Sequence, residues 1–93
     1  MAKIGQILGG QLNFYQHSEI SKVTIYLIRH AQSAFNAVYD ANKPDPMIFD
    51  APITELGETQ ARQARNEVEK LDINNLIVSP FTRTLQTAQL IFE

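Results

Sequence analysis

Seven residues, Lys22-Val-Thr-Ile-Tyr-Leu-Ile28, set the terms on which this chain folds. They are β-branched, aromatic or apolar almost without a break. A strand of that kind needs cover on both faces, the usual situation in a parallel sheet. A second short apolar run, Leu76-Ile-Val78, predicts another buried strand. Between them Thr54 is placed as a helix N-cap, with Glu55 and Glu58 near the positive end of the dipole. The stripe Leu56, Ala61, Ala64, Val68 and Leu71 fits one face of the helix that follows. Ser79-Pro80 marks a further helix start, with proline at the first helical position and Phe81, Leu85, Ala88 and Phe92 following at helical spacing. The order β–loop–α–β–α predicts an α/β fold with a parallel sheet and a right-handed crossover.

The remaining segments carry weaker patterns. Residues 1–22 read as an N-terminal extension, at most with one helical turn, and residues 23–93 as the folded unit. From Arg29 to Asp50 the chain is polar, and Pro44 and Pro46 exclude a continuous helix. A long loop with a short helix around Ala34–Tyr39 is expected there, and loops of that length are commonly functional.

Composition narrows the function classes. Eight basic against ten acidic residues leave a net charge of −2, which gives no reason to expect nucleic acid as a partner. With 44% apolar residues the chain is globular in composition. No cysteine is present, and the two histidines lack metal-ligand spacing, so no metal or other cofactor is expected. No stretch suits a signal peptide or a membrane span, so a cytoplasmic protein without membrane association is expected. A chain of 93 residues buries only about 60–65% of its unfolded surface, so a missing piece of core is serious.

In an open parallel sheet, ligands bind beyond the carboxyl ends of the strands. Arg29-His30 follows the first strand, and Ser79-Pro80-Phe81-Thr82-Arg83 follows the second. Two guanidiniums and an imidazole converging at one sheet edge would suit a phosphoryl group. Arginine forks match its oxygens, and a neutral histidine can attack phosphorus. By spacing alone, Arg29-His30 also fits a solvated loop start, and Arg83 an ordinary surface helix position.

Three blocks taken together resemble the histidine phosphatase superfamily, the phosphoglycerate mutase-like group. They are Leu27-Ile-Arg29-His30-Ala-Gln32-Ser33-Ala-Phe-Asn36, then Ile53-Thr-Glu-Leu-Gly57-Glu-Thr-Gln60-Ala61, then Val78-Ser-Pro-Phe-Thr-Arg83-Thr-Leu-Gln-Thr87-Ala88. The resemblance implies a three-layer αβα fold with a mainly parallel sheet, present here as its N-terminal half. It implies a phosphomonoester hydrolase working through phosphohistidine, with His30 as nucleophile and Arg29 and Arg83 clamping the phosphoryl group. Asn36 and Ser33 are implied as further phosphate-binding residues, and the Thr54–Gly57–Gln60 block as structural. The implied substrate is a phosphorylated small molecule or a phosphoprotein. Phosphoglycerate mutase-type transfer shares the same first half of the chemistry.

Two departures stand out. Many members carry glycine where this chain has Ala31; if that position needs positive φ, alanine costs about 1 kcal/mol. The family's second histidine and proton-donating acid have no match in the chain, and Asp40, Asp45 and Asp50 cannot be aligned with that acid. A rival reading is therefore a truncated remnant that binds phosphate without turnover, or an interaction module. Self-association through an uncovered sheet edge is a further expectation.

Overall fold

The computed structural model describes residues 23–93 in full, and residues 2–8 and 11–17 as main chain. Strand β1 (Ala2–Leu8) pairs antiparallel with β2 (Gln11–His17), Leu8 opposite Gln11 and Ala2 opposite His17. Strand β3 (Thr24–Ile28) pairs with β1 in parallel, from Lys3 opposite Thr24 to Ile7 opposite Ile28. The sheet order is β2-β1-β3.

The strand expected at Lys22–Ile28 is thus present, and helix and strand together make an α/β fold. The rest of the expected sheet is corrected. No helical turn forms over residues 2–8 and 11–17; the other residues of 1–22 lie outside those described. Gly9-Gly10 falls between two runs in two-residue hairpin register, a signal the sequence carries.

Leu76-Ile-Val78 is not a strand. The run is three residues long, lies between Asn74-Asn75 and Ser79-Pro80, and ends at a proline that has no N–H to donate. Ile77 is 96% exposed. An open cavity of about 980 Å³, lined by β3 and by residues 72–78, occupies the place where the expected ladder would close. The sheet of the described residues therefore combines one antiparallel and one parallel pairing instead of being mainly parallel.

The helices follow their sequence signals more closely. Helix α1 (Ala34–Val38) forms where a short helix is expected. Helix α2 (Glu55–Val68) starts at the Thr54 cap, whose hydroxyl accepts from the Gly57 N–H. Its buried residues are Gly57, Ala61, Ala64 and Val68, so Ala61, Ala64 and Val68 of the expected stripe are in place, whereas Leu56 is exposed and Gly57 meets the core side instead. Helix α3 (Thr82–Phe92) begins two residues beyond Pro80, which is therefore not the first helical residue. It buries Thr87 and Ile91, while Phe81 and Leu85 stay half-exposed.

Ala31, Ala61, Ala64, Val68 and Ile91 form the core, with Ile28, Ile53, Ile73, Leu90 and Phe92 packed against it. Ala31 is 7% exposed and is not among the positive-φ residues. Alanine is unstrained there, and its methyl group adds to the core. Among the described residues, no helix is long and apolar enough to cross a membrane.

Candidate functional site

Arg29 and His30 leave the carboxyl end of β3. The half-buried His30 ring places Nδ1 at 2.8 Å from the Ala31 carbonyl. A carbonyl only accepts, so Nδ1 carries the proton, and in the neutral ring Nε2 keeps its lone pair. The ring thus offers its nucleophilic nitrogen away from the main chain.

Thr87 ties this segment to α3. Its hydroxyl accepts from the Ala31 N–H at 3.0 Å and donates to the Arg83 carbonyl at 2.7 Å. Thr87 is 4% exposed, so a single buried hydroxyl bridges the residue after His30 and the turn that carries Arg83. Arg83 sits in the first turn of α3, its guanidinium 4.6 Å from the centre of the Phe81 ring. Cation–π attraction at that distance does not use up the guanidinium's N–H donors. Arg29 is exposed.

Among the described residues, neither Arg29 nor Arg83 is in an ion pair, whereas Arg62 and Arg65 are bound to Glu58 and Glu69. The structure brings His30 to α3 through Thr87. It joins Arg29 to neither His30 nor Arg83 by any hydrogen bond among the described residues.

Ser33 and Asn36 form a reciprocal cap on α1. The Ser33 hydroxyl donates to Asn36 Oδ1 at 2.9 Å and accepts from the Asn36 N–H, while Asn36 Oδ1 also accepts from the Ser33 N–H. Ser33 is 1% exposed, so its one proton is committed inside the cap. Asn36 is exposed and has its amide Nδ2 outside the cap, free of any partner among the described residues.

The second block acts as scaffold. Thr54 N–H donates to the Gln32 carbonyl at 2.9 Å, its hydroxyl donates to Gln32 Oε1 at 2.7 Å, and Gln60 Oε1 accepts from the Gln32 N–H at 2.9 Å. Gln86 Oε1 accepts from the Ile53 N–H at 2.8 Å, which joins α3 to the same crossing. Gly57 lies so close to Gln32 that an added Cβ would stand 2.3 Å from its carbonyl oxygen. Thr87, Gln86 and Asp50 received no role from sequence reasoning. Gln86 and Thr87 lie three and four residues after Arg83, on the helix face that Arg83 begins, and that spacing was the available signal.

The three loop carboxylates take structural roles. Asp40 accepts from the Asn42 N–H and Asp45 from the Met47 N–H, both in Asx turns. Asp50 accepts from the Thr82 N–H at 3.0 Å and the Thr82 hydroxyl at 2.5 Å. The N-cap of α3, Phe81, has no side-chain cap of its own, so Asp50 caps that helix from the loop. These bonds to Thr82, together with the nearby Arg83 charge, hold the Asp50 carboxyl below its usual value of 3.8. Asp50 is therefore a poor proton donor at neutral pH.

A carboxyl whose pKa is lowered by folding adds stability above its unfolded value and loses it as pH falls through the folded one. Acid unfolding of the native chain should therefore steepen below about pH 4, and Asp50→Asn should flatten that limb. Identical acid limbs in thermal melts of the two proteins would remove the linkage.

The chain thus has a histidine leaving a strand end, with the next residue, Ala31, tied by the Thr87 hydroxyl to the helix that carries Arg83 in its first turn, within an α/β fold. The family model for the histidine phosphatase superfamily (branch 1) matches residues 25–93. The chain belongs to that superfamily, whose members are phosphatases or mutases. It is 37% identical over 69 residues to a probable phosphoglycerate mutase GpmB of Enterobacter sp. (strain 638), covering 74% of this chain and 30% of that protein. It is 38% identical over 69 residues to the corresponding protein of Serratia proteamaculans (strain 568), covering 74% of this chain and 30% of that protein. It is 40% identical over 76 residues to phosphoglycerate mutase-like protein 1 of Arabidopsis thaliana, covering 74% of this chain and 27% of that protein. The chain thus spans less than a third of the length of these relatives. No solved structure matches it.

Proposed function

We propose that this chain carries the nucleophilic half of a phosphomonoester hydrolase acting through phosphohistidine in the cytoplasm. The observation that carries the reading is the His30 hydrogen bond: Nδ1 donates to the Ala31 carbonyl, so Nε2 is the nitrogen that can attack. In the first step Nε2 forms a bond to phosphorus as the ester P–O bond breaks, and the leaving alkoxide takes a proton. Water then attacks the phosphorus, the P–N bond breaks, and inorganic phosphate leaves. Arg83 and Arg29 offset the charge on the phosphoryl oxygens, and the Asn36 amide adds a neutral donor. Ser33 serves by holding Asn36 in place. The proton donor is matched by none of Asp40, Asp45 or Asp50. The substrate is a phosphorylated small molecule or a phosphoprotein. Hydrolysis is preferred to mutase transfer because the described residues supply no recognised element for a glycerate carboxylate beside the phosphate.

The test is covalent trapping. The full chain is incubated with 4-nitrophenyl phosphate and residue 30 is examined by mass spectrometry. An acid-labile, alkali-stable phosphate on His30, lost in His30→Ala, is expected. Equal nitrophenol release by the native chain and His30→Ala overturns the assignment.

A second reading is favoured by the open cavity and the exposed Leu76 and Ile77. On that reading the chain binds phosphate without turnover and presents the uncovered region to another protein or a second copy. Phosphate binding without any trapped adduct would be its signature.

A further inference from the structure

The phosphate reading says nothing about the alcohol half of the ester, but the surroundings of Arg83 do. The Asp50–Thr82 hydrogen bonds join the loop to α3. Phe49 and Phe81 each stand one residue before a member of that pair. Phe49 is 80% exposed and Phe81 51%, so an aromatic ring that meets solvent precedes each member of the Asp50–Thr82 pair, and that of Phe81 lies against Arg83. Asp50 and Met47 both adopt left-handed backbone, with φ of 44° and 56°. That conformation costs a non-glycine residue about 1–2 kcal/mol. The loop therefore accepts strain in the stretch that exposes Phe49 and brings Asp50 to the helix.

Charge works in the same direction. Asp50 already occupies the amino end of α3 with a carboxylate, and Arg83 lies within range of its field. The Arg83 guanidinium lies over the Phe81 ring, so a phosphate held by its N–H groups is bound beside an aromatic side chain. A second acidic group on the alcohol would meet Asp50 there, with the helix N–H of Thr82 already bonded.

Resting on the phosphate reading above, we propose that this site takes phosphomonoesters with an uncharged, apolar or aromatic alcohol portion. Phe49 and Phe81 contact that portion, and Asp50 acts against acidic ones such as a glycerate. Apolar contact supplies affinity for the first class, and like-charge repulsion at Asp50 removes it from the second.

Titration of the full 93-residue chain by NMR with inorganic phosphate, phenyl phosphate and 3-phosphoglycerate tests this. Phenyl phosphate is expected to bind roughly 3–10-fold tighter than inorganic phosphate, and 3-phosphoglycerate no tighter than inorganic phosphate. Phe49→Ala should bring the phenyl-to-inorganic ratio towards one, and Phe49→Tyr should preserve it. Asp50→Asn, which keeps an acceptor for the Thr82 N–H, should improve 3-phosphoglycerate relative to phenyl phosphate about 2–5-fold, with the gain shrinking as salt rises. Equal affinities for phenyl and inorganic phosphate, or tighter binding of 3-phosphoglycerate by the native chain, overturn the inference and leave the phosphate site standing. Absence of inorganic phosphate binding, or binding indifferent to Arg83→Gln, overturns both.

Discussion

Gly57→Ala is expected to destabilise the chain by about 3 kcal/mol, enough to unfold a marginal domain of this size. Alanine in a helix ordinarily gains up to about 1 kcal/mol over glycine, so propensity alone predicts the opposite sign. Geometry decides between them. The new Cβ would stand 2.3 Å from the Gln32 carbonyl oxygen, a main-chain atom that cannot rotate away. That carbonyl accepts from the Thr54 N–H, and the Gln32 N–H is held by Gln60. Moving it would therefore break the crossing that joins the His30 segment to α2. Urea denaturation followed by circular dichroism measures the effect. A midpoint equal to or above the native one would show that the close approach is absent.

Thr87→Val should lower stability by about 1–3 kcal/mol and weaken phosphate binding as well. Valine has nearly the same shape, so little cavity is created and the loss is one of hydrogen bonding. The Ala31 N–H would remain buried with no acceptor, which costs more than an average hydrogen bond contributes. Position is affected too, because the same hydroxyl links the residue after His30 to the turn carrying Arg83. Thr87→Ser keeps the hydroxyl and should recover most of the phosphate affinity. Loss of stability with unchanged affinity in Thr87→Val would reduce Thr87 to a structural residue.

Much of this molecule is legible in its sequence because local chemistry agrees with the final arrangement. The Thr54 cap and the small residues of α2 serve in place as their patterns predict, and the β-branched run forms β3, although Val23, Ile25 and Leu27 stay exposed instead of being covered on both faces. The family motifs also name the residues that the proposal uses. What misleads is whatever depends on partners distant in sequence. Leu76-Ile-Val78 has strand composition, yet a run this short has little tendency to pair without a ladder to receive it. The segments 2–8 and 11–17 look weakly patterned because Gly5 and Gln6 in β1 and Gln11, Asn13 and Gln16 in β2 interrupt their apolar residues. Asp50 resembles a stray loop acid until Thr82 is found beside it, across thirty-two residues of chain. The hydroxyl of Ser33, a phosphate ligand by motif, donates to Asn36, a partner three residues on that the motif does not reveal.

Ala31 couples the His30 ring to the core. Its carbonyl holds the His30 ring, while its methyl group lies among Ala61, Ala64, Val68 and Ile91. The reactive imidazole is thus anchored to a residue that is itself part of the helix-packing layer. Any loosening between α2 and α3, wherever it begins, reaches the ring through one peptide unit. The imidazole resonances of His30 therefore act as an internal strain gauge, reporting the state of the core from the proposed nucleophile.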